Sequence, residues 1–264
     1  MKSMSEIEEI CKKYGINNYT INEDGSIDVD GDVYLSSKGL KKIPLKFNNV
    51  YGSFYCNINQ LTSLEGCPKY VEGNFECKYN FIKTLEFCPE IVDGSFDVSC
   101  NRLITLEYIP KKIGYNLSIS DNKLTSLEGC PEKIEGGFYC SINKLTSLKG
   151  CPKYVGHLFS CTDNNLTSLE FGPVEVGGDF NFSRNEVRDL YGISDNIGGS
   201  IIFQGKNPIS SIITKEVNID FIRAFNIYKV IKDGKVVLKR LKYTMETFDM
   251  KYYLEKIEKE YEII

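Results

Sequence analysis

The chain has 264 residues, 42% hydrophobic and 26% charged, which is too apolar for a disordered segment and ordinary for a folded one. A net charge of -4 and a pI near 5.3 give no general attraction for a polyphosphate backbone, so nucleic acid is a poor partner. No run approaches the roughly 18 apolar residues of a membrane span, and the opening MKSMSEIEEICKKYG has no apolar signal core, so a cytoplasmic protein without a membrane partner is expected.

Residues 3–14 place Ile7, Ile10 and Cys11 on one helical face, with Ser5 as the expected N-cap and Gly15 as the stop. This helix is expected to close the first end of a stack, in a capping segment spanning 1–26. Residues 27–37 (IDVDGDVYLSS) follow as a leading strand with Val29, Gly31, Val33 and Leu35 in register with what comes next. The run Asp28-Val29-Asp30-Gly31-Asp32 superficially suggests a calcium loop but lacks the glutamate at its twelfth position.

From there a period of 21 residues dominates. An asparagine recurs at 59, 80, 101, 122, 143, 164 and 185, then at 207 after a one-residue slip. Aliphatic residues follow it by two and by five, as at Leu61 and Leu64, and a proline keeps the same register from Pro68 to Pro173. The averaged unit reads L-T-S-L-E-G-C-P-x-x-V-x-G-x-F-x-C-x-x-N-x. Its F-x-C piece alternates with period two, which predicts one short strand per turn, stacked in parallel on its neighbours. The asparagine amide suits a turn where buried backbone groups of adjacent coils need partners. The proline favours an extended or turning return segment over a long helix.

After Ile212 the period ends. Residues 216–226 read as a short helix, 227–238 as a hairpin around Asp233-Gly234, and 239–262 as one or two amphipathic helices. The organisation expected is an N-terminal cap (1–26), a solenoid (27–215) of about eight repeats, and a C-terminal cap (216–264). A basic run from Lys229 to Lys242 offers the C-terminal segment as a rival docking element, though acidic residues beyond it nearly balance the charge.

Ten cysteines and no C-x-x-C invite a reading by column. Cys56, Cys77, Cys140 and Cys161 share a slot with Val98, Ile119, Phe182 and Phe203, while Cys67, Cys88, Cys130 and Cys151 share one with Ile109 and Gly172. Cysteine here stands in for a small apolar side chain, free and reduced, so neither a metal nor another cofactor is expected. Cys100 falls outside both columns and is the thiol expected to oxidise first.

The piece F-x-C-x-x-N-x-L-x-x-L matches the leucine-rich-repeat core, with Phe and Cys in two leucine slots. LTSLEGCPKYVEGNFECKYN (61–80) and LTSLEGCPEKIEGGFYCSIN (124–143) resemble the leucine-rich-repeat proteins of tailed phages and some AT-rich bacteria, as do the opening EIEEICKKYGINNYTINEDGSIDVDGDVYL and the tail FIRAFNIYKVIKDGKVVLKRL. The resemblance implies a leucine-rich-repeat solenoid with a parallel sheet on its concave face, an extended, turn-rich convex side, a helical N-terminal cap and an α/β C-terminal cap. It also implies a protein partner from a bacterial host, such as a defence factor that the chain binds and inhibits. The unit is more distantly similar to repeats of secreted effectors of enteric pathogens. Some of those carry a cysteine-dependent ubiquitin ligase domain, an activity that does not carry over because no cysteine follows Cys161.

No catalytic motif emerges. The single histidine, His157, occupies a slot that is glycine at 52, 73, 94, 136 and 178, and no motif places a partner for it. A non-enzymatic binding protein is therefore expected, acting through the outward strand positions. Tyr55, Glu76, Asp97, Ser118 and Tyr139 form one outward column, with Lys78 and the small Ser99, Ser120 and Ser141 beside it. Ile58, Tyr79, Ile142 and Leu158 add apolar surface, and Tyr34 extends it toward the N-terminus. Recognition of a glycan or small ligand by the same face is the alternative.

Overall fold

The computed structural model describes residues 2–213, 217 and 219–264. Helix α1 (Met4–Tyr14) opens the chain and buries Ile7 and Cys11. Its N-cap is Ser3 rather than the expected Ser5: the Ser3 side chain accepts from the Glu6 backbone N–H, while Glu6 accepts in return from the Ser3 N–H. This reciprocal pair satisfies two free helix-end donors and also holds the Glu6 carboxyl below its usual range. Gly15 ends the helix at φ 67, a left-handed conformation that costs a residue without Cβ little.

A parallel β-solenoid of about eight turns follows. Nine two-residue strands, from Val33–Tyr34 through Phe54–Tyr55 to Ile201–Ile202, pair in parallel and in unbroken sequential order. Along them the register sets Phe54 on Phe75, Phe75 on Phe96, and so on at an interval of 21, which is the sequence period itself. The buried rings stack, with centroids 5.8 Å apart for Phe54–Phe75 and 5.3 Å for Phe75–Phe96.

The side expected to be extended and turn-rich carries regular structure of its own. Each turn contains a second strand, such as Tyr70–Val71 or Tyr154–Val155, and these form a second sheet, parallel except for its first strand, Tyr19–Ile21, which runs antiparallel to Ile27–Val29. That sheet is divided into six-stranded and four-stranded parts, with the interruption between Lys112–Ile113 and Lys133–Ile134. The two strands of a turn meet at a corner occupied by the glycine column. A Cβ on Gly52 would stand 2.4 Å from the Gly31 carbonyl carbon, so successive coils approach there too closely for most side chains.

The asparagine column holds the coils together from inside. Asn101 accepts from the Ile82 N–H at 3.0 Å and donates to the carbonyls of Cys77 (2.9 Å), Val98 (3.1 Å) and Ser99 (3.2 Å). The same set of bonds recurs at Asn122, Asn143 and Asn164, and among the described residues no buried side-chain polar atom lacks a partner.

Past the last coil, α2 (Ile219–Ile227), a hairpin (Ile231–Lys232 with Lys235–Val236), α3 (Leu238–Thr247) and α4 (Leu254–Glu260) follow in the expected order. Of the residues expected to begin the first of these helices, 216 and 218 lie outside the described residues. Both terminal segments share one apolar core with the coils, which runs from Ile7 to Tyr261. The C-terminal one is tied to the coils by Arg188, whose guanidinium donates to the Glu260 carbonyl at 3.0 Å and whose own carbonyl accepts from the Tyr261 hydroxyl. No helix among the described residues is long and apolar enough to cross a membrane.

Candidate binding face

The register sets the outward residues side by side in one column. Tyr34 lies beside Tyr55, Tyr55 beside Glu76, Glu76 beside Asp97, Asp97 beside Ser118, and Ser118 beside Tyr139, while the residue before each points into the core. The face is not one continuous patch. Tyr34 and Tyr55 stack with centroids 5.3 Å apart and planes 10° from parallel, and the Tyr34 hydroxyl donates to Asp32 at 2.7 Å. Three strands separate them from Tyr139, about 19 Å at the usual spacing of parallel neighbours.

Charge fills part of that interval. The Lys78 ammonium lies 3.1 Å from Glu76 and 3.5 Å from Asp97. Desolvation opposes its charge, but the two carboxylates outweigh that and raise its pKa. Asn57 donates to Glu76 at 3.0 Å and Asp97 accepts from the Ser99 hydroxyl at 2.6 Å, so this cluster is internally satisfied. Held in that way, it presents a fixed pattern of charge rather than loose side chains.

Ile58, Tyr79 and Ile142 sit at the far rim of the strand face, in the slot just before the asparagine. Every coil from 58 to 184 places this residue in the left-handed region, with φ between 52 and 56. Polar residues tolerate it at Asp121, Asp163 and Arg184, yet a β-branched Ile does not adopt it readily. Ile58, Tyr79 and Ile142 are also 59%, 58% and 53% exposed, so burial does not offset the strain.

Leu158 lies at the corner, where the structure reveals a feature that the sequence reading missed. The side chains of Asp32, Ser53, Asn74, Ser95 and Asn116 each accept from the backbone N–H of the residue 21 positions on, Asp32 at 2.7 Å from the Ser53 N–H and Asn74 at 2.8 Å from the Ser95 N–H. The ladder resumes at Asp179, which accepts from Ser200 at 2.7 Å. Between them stand Gly137 and Leu158, neither of which has a side-chain acceptor. The Tyr139 ring covers Gly137, since a Cβ there would lie 2.7 Å from the tyrosine hydroxyl.

Two other departures from the repeat fall beside them, one in the coil of Leu158 and one in the coil of Asn116. Tyr115 and His157 both occupy the glycine column, and their rings meet edge to face across Gly136 with centroids 5.8 Å apart. His157 is exposed and pairs with an aromatic ring, which makes it part of a surface patch. The column of polar residues at the corner was readable from the 21-residue spacing, and its two exceptions were the signal.

The cysteines lie where the columns put them. Seven are buried and Cys100, Cys130 and Cys151 are half-buried. Every thiol is pushed up, Cys77 first by its bond with Cys56 and then by burial, the others chiefly by burial, which takes Cys88 to about 12. Cys100 also bonds with Tyr79, which raises the phenol in turn. Among the described residues no group of three or more His, Cys, Asp or Glu is placed to hold a metal ion.

No family model matches the chain, and neither does any curated protein sequence or solved structure compared with it.

Proposed function

We propose that the chain is a non-enzymatic scaffold of leucine-rich-repeat type that binds another protein through the outer face of its nine-stranded sheet. The observation that carries this reading is the rim slot. Ile58, Tyr79 and Ile142 are apolar, exposed and held at positive φ, where Asp and Arg serve elsewhere in the same column. Neither fold stability nor solubility favours those residues there, and contact with an apolar surface does. Two aromatic centres flank the fixed charge cluster of Glu76, Lys78 and Asp97, so a partner would bring two apolar anchors separated by polar groups. The resemblance of the repeat to those of tailed phages supports a bacterial host protein, such as a defence factor, as that partner.

The test is capture from bacterial lysate by the wild-type chain and by the Tyr55→Ala/Tyr79→Ala/Tyr139→Ala variant. Each aromatic anchor is expected to contribute about 2 kcal/mol, roughly thirtyfold in affinity, so the variant should lose a partner that the wild type retains. Equal capture by the two chains would remove the strand face as the site.

A further inference from the structure

We propose a second binding site, on the turns that lead into the second sheet, for an extended peptide in which apolar side chains alternate with acidic ones. A groove of about 770 Å³ crosses four successive coils there, at residues 43–47, 65–69, 87–90 and 108–111. Its floor is apolar and buried, with Leu45, Cys67, Pro68 and Pro89 among the contributors.

The walls are Phe87 and Tyr108, on adjacent coils, and they share a strained backbone conformation with Phe171, an exposed ring in the same slot three coils further on and outside the groove. Both adopt φ 67 in a slot that Gly66, Gly129 and Gly150 fill at φ 93, 99 and 85. A large ring in this conformation carries strain that glycine avoids, and at 55% and 57% exposure neither ring recovers it by burial in the chain's own core. The Cys88 thiol donates to the Tyr108 carbonyl at 2.9 Å and helps fix that wall in place.

Charge selects the occupant. Five lysines and two glutamates line the groove, a local charge of +3 on a chain whose net charge is -4. Lys46 is paired with Asp24 and Lys111 with Glu90, whereas Lys42 and Lys69 have no ion pair among the described residues. Lys2, Lys42 and Lys46 lie at the first-coil end of the groove, Lys69 on the second coil, and Lys111, which shares its charge with Glu90, on the fourth. A single-headed anionic amphiphile would use only one of them, while a chain with acidic groups at intervals would meet several. Four coils span about 14 Å, the length of about four extended residues.

The experiment is fluorescence anisotropy of the intact chain with fluorescein-labelled Asp-Leu-Asp-Leu-Asp-Leu, with Lys-Leu-Lys-Leu-Lys-Leu as the reversed probe and dodecanoate as competitor. The acidic peptide should bind at least tenfold more tightly than the basic one and weaken in 0.5 M salt. Phe87→Gly/Tyr108→Gly restores the residue that other coils carry in that slot, so it should fold and reduce affinity at least tenfold. Lys42→Glu/Lys69→Glu should do the same without touching the walls. The Tyr55→Ala/Tyr79→Ala/Tyr139→Ala variant should bind the peptide like the wild type, which separates this site from the strand face. Affinity unchanged in both groove variants, no discrimination between the two peptides, or displacement by dodecanoate with direct saturable dodecanoate binding would each overturn the proposal.

Discussion

The asparagine column and the slot immediately before it are one residue apart and obey opposite rules. Asn59, Asn80, Asn101 and their successors are buried and form the same bonds in coil after coil, because each coil presents the same unpaired backbone groups. Their neighbours at 58, 79, 100, 121, 142, 163 and 184 share a backbone conformation but not a chemistry, being Ile, Tyr, Cys, Asp, Ile, Asp and Arg. Uniformity marks what the backbone requires. Departure from it, at an exposed and strained position, marks what the fold does not require and, in the function we propose, what a partner would use.

Substitution inside the column should give the largest effect. Asn101→Leu leaves the Ile82 N–H and three carbonyls without their partner, and should cost about 3 kcal/mol, read as a lowered midpoint in urea unfolding. If the midpoint stayed within error of the wild type, the asparagine column would not be what joins the coils. Asp121→Ala in the outward slot should cost far less, because its side chain has no comparable set of bonds to the coils.

A smaller effect is expected from the thiols, which belong to the inward side of the comparison except for Cys100. With every thiol raised above its usual range, alkylation of the native chain at pH 8 should be slow, with Cys100 labelled first and all ten labelled after denaturation. Rapid labelling of Cys56 or Cys140 in the native chain would place those residues outside the core.

The smallest effect concerns acid. Hydrogen bonds from the Ser53 N–H and the Tyr34 hydroxyl lower the Asp32 carboxyl below its usual range. A depressed folded-state pKa contributes stability that is present above the unfolded value of about 3.9 and is lost as pH falls through the folded one. Asp32→Asn should therefore reduce stability slightly at pH 7 and flatten its decline below about pH 4, measured as melting temperature against pH. An unchanged acid limb would show that the first rung of the corner ladder contributes nothing through its charge.

The sequence disclosed the features that repeat. The strand column was legible because Phe54-Tyr55-Cys56 alternates about a buried pair, and the C-terminal order of helix, hairpin and helices followed from local periodicity and from Asp233-Gly234. The second sheet was not legible, since a strand such as Tyr70–Val71 has one inward residue and two positions cannot display a period. Ser3 rather than Ser5 caps the helix, which begins at Met4; both serines have a glutamate three residues on, Glu6 and Glu8, so the spacing alone did not separate them. Of the face, the outward columns were legible, but not the division between Tyr34/Tyr55 and Tyr139, nor the strain at Ile58 and Ile142, which is a property of φ and not of spacing. Phe87 and Tyr108 were passed over for the same reason: without φ they read as ordinary substitutions for glycine.

The central claim is that the outward slot sacrifices stability for contact, and the Ile58→Asn/Ile142→Asn variant tests both halves at once. Asparagine tolerates the left-handed conformation, so relief of strain should stabilise the chain by about 1 kcal/mol at each site and raise the melting temperature by several degrees. The same variant should lose capture of the protein that the wild type retains. A melting temperature that falls, together with capture that is unchanged, would contradict the account.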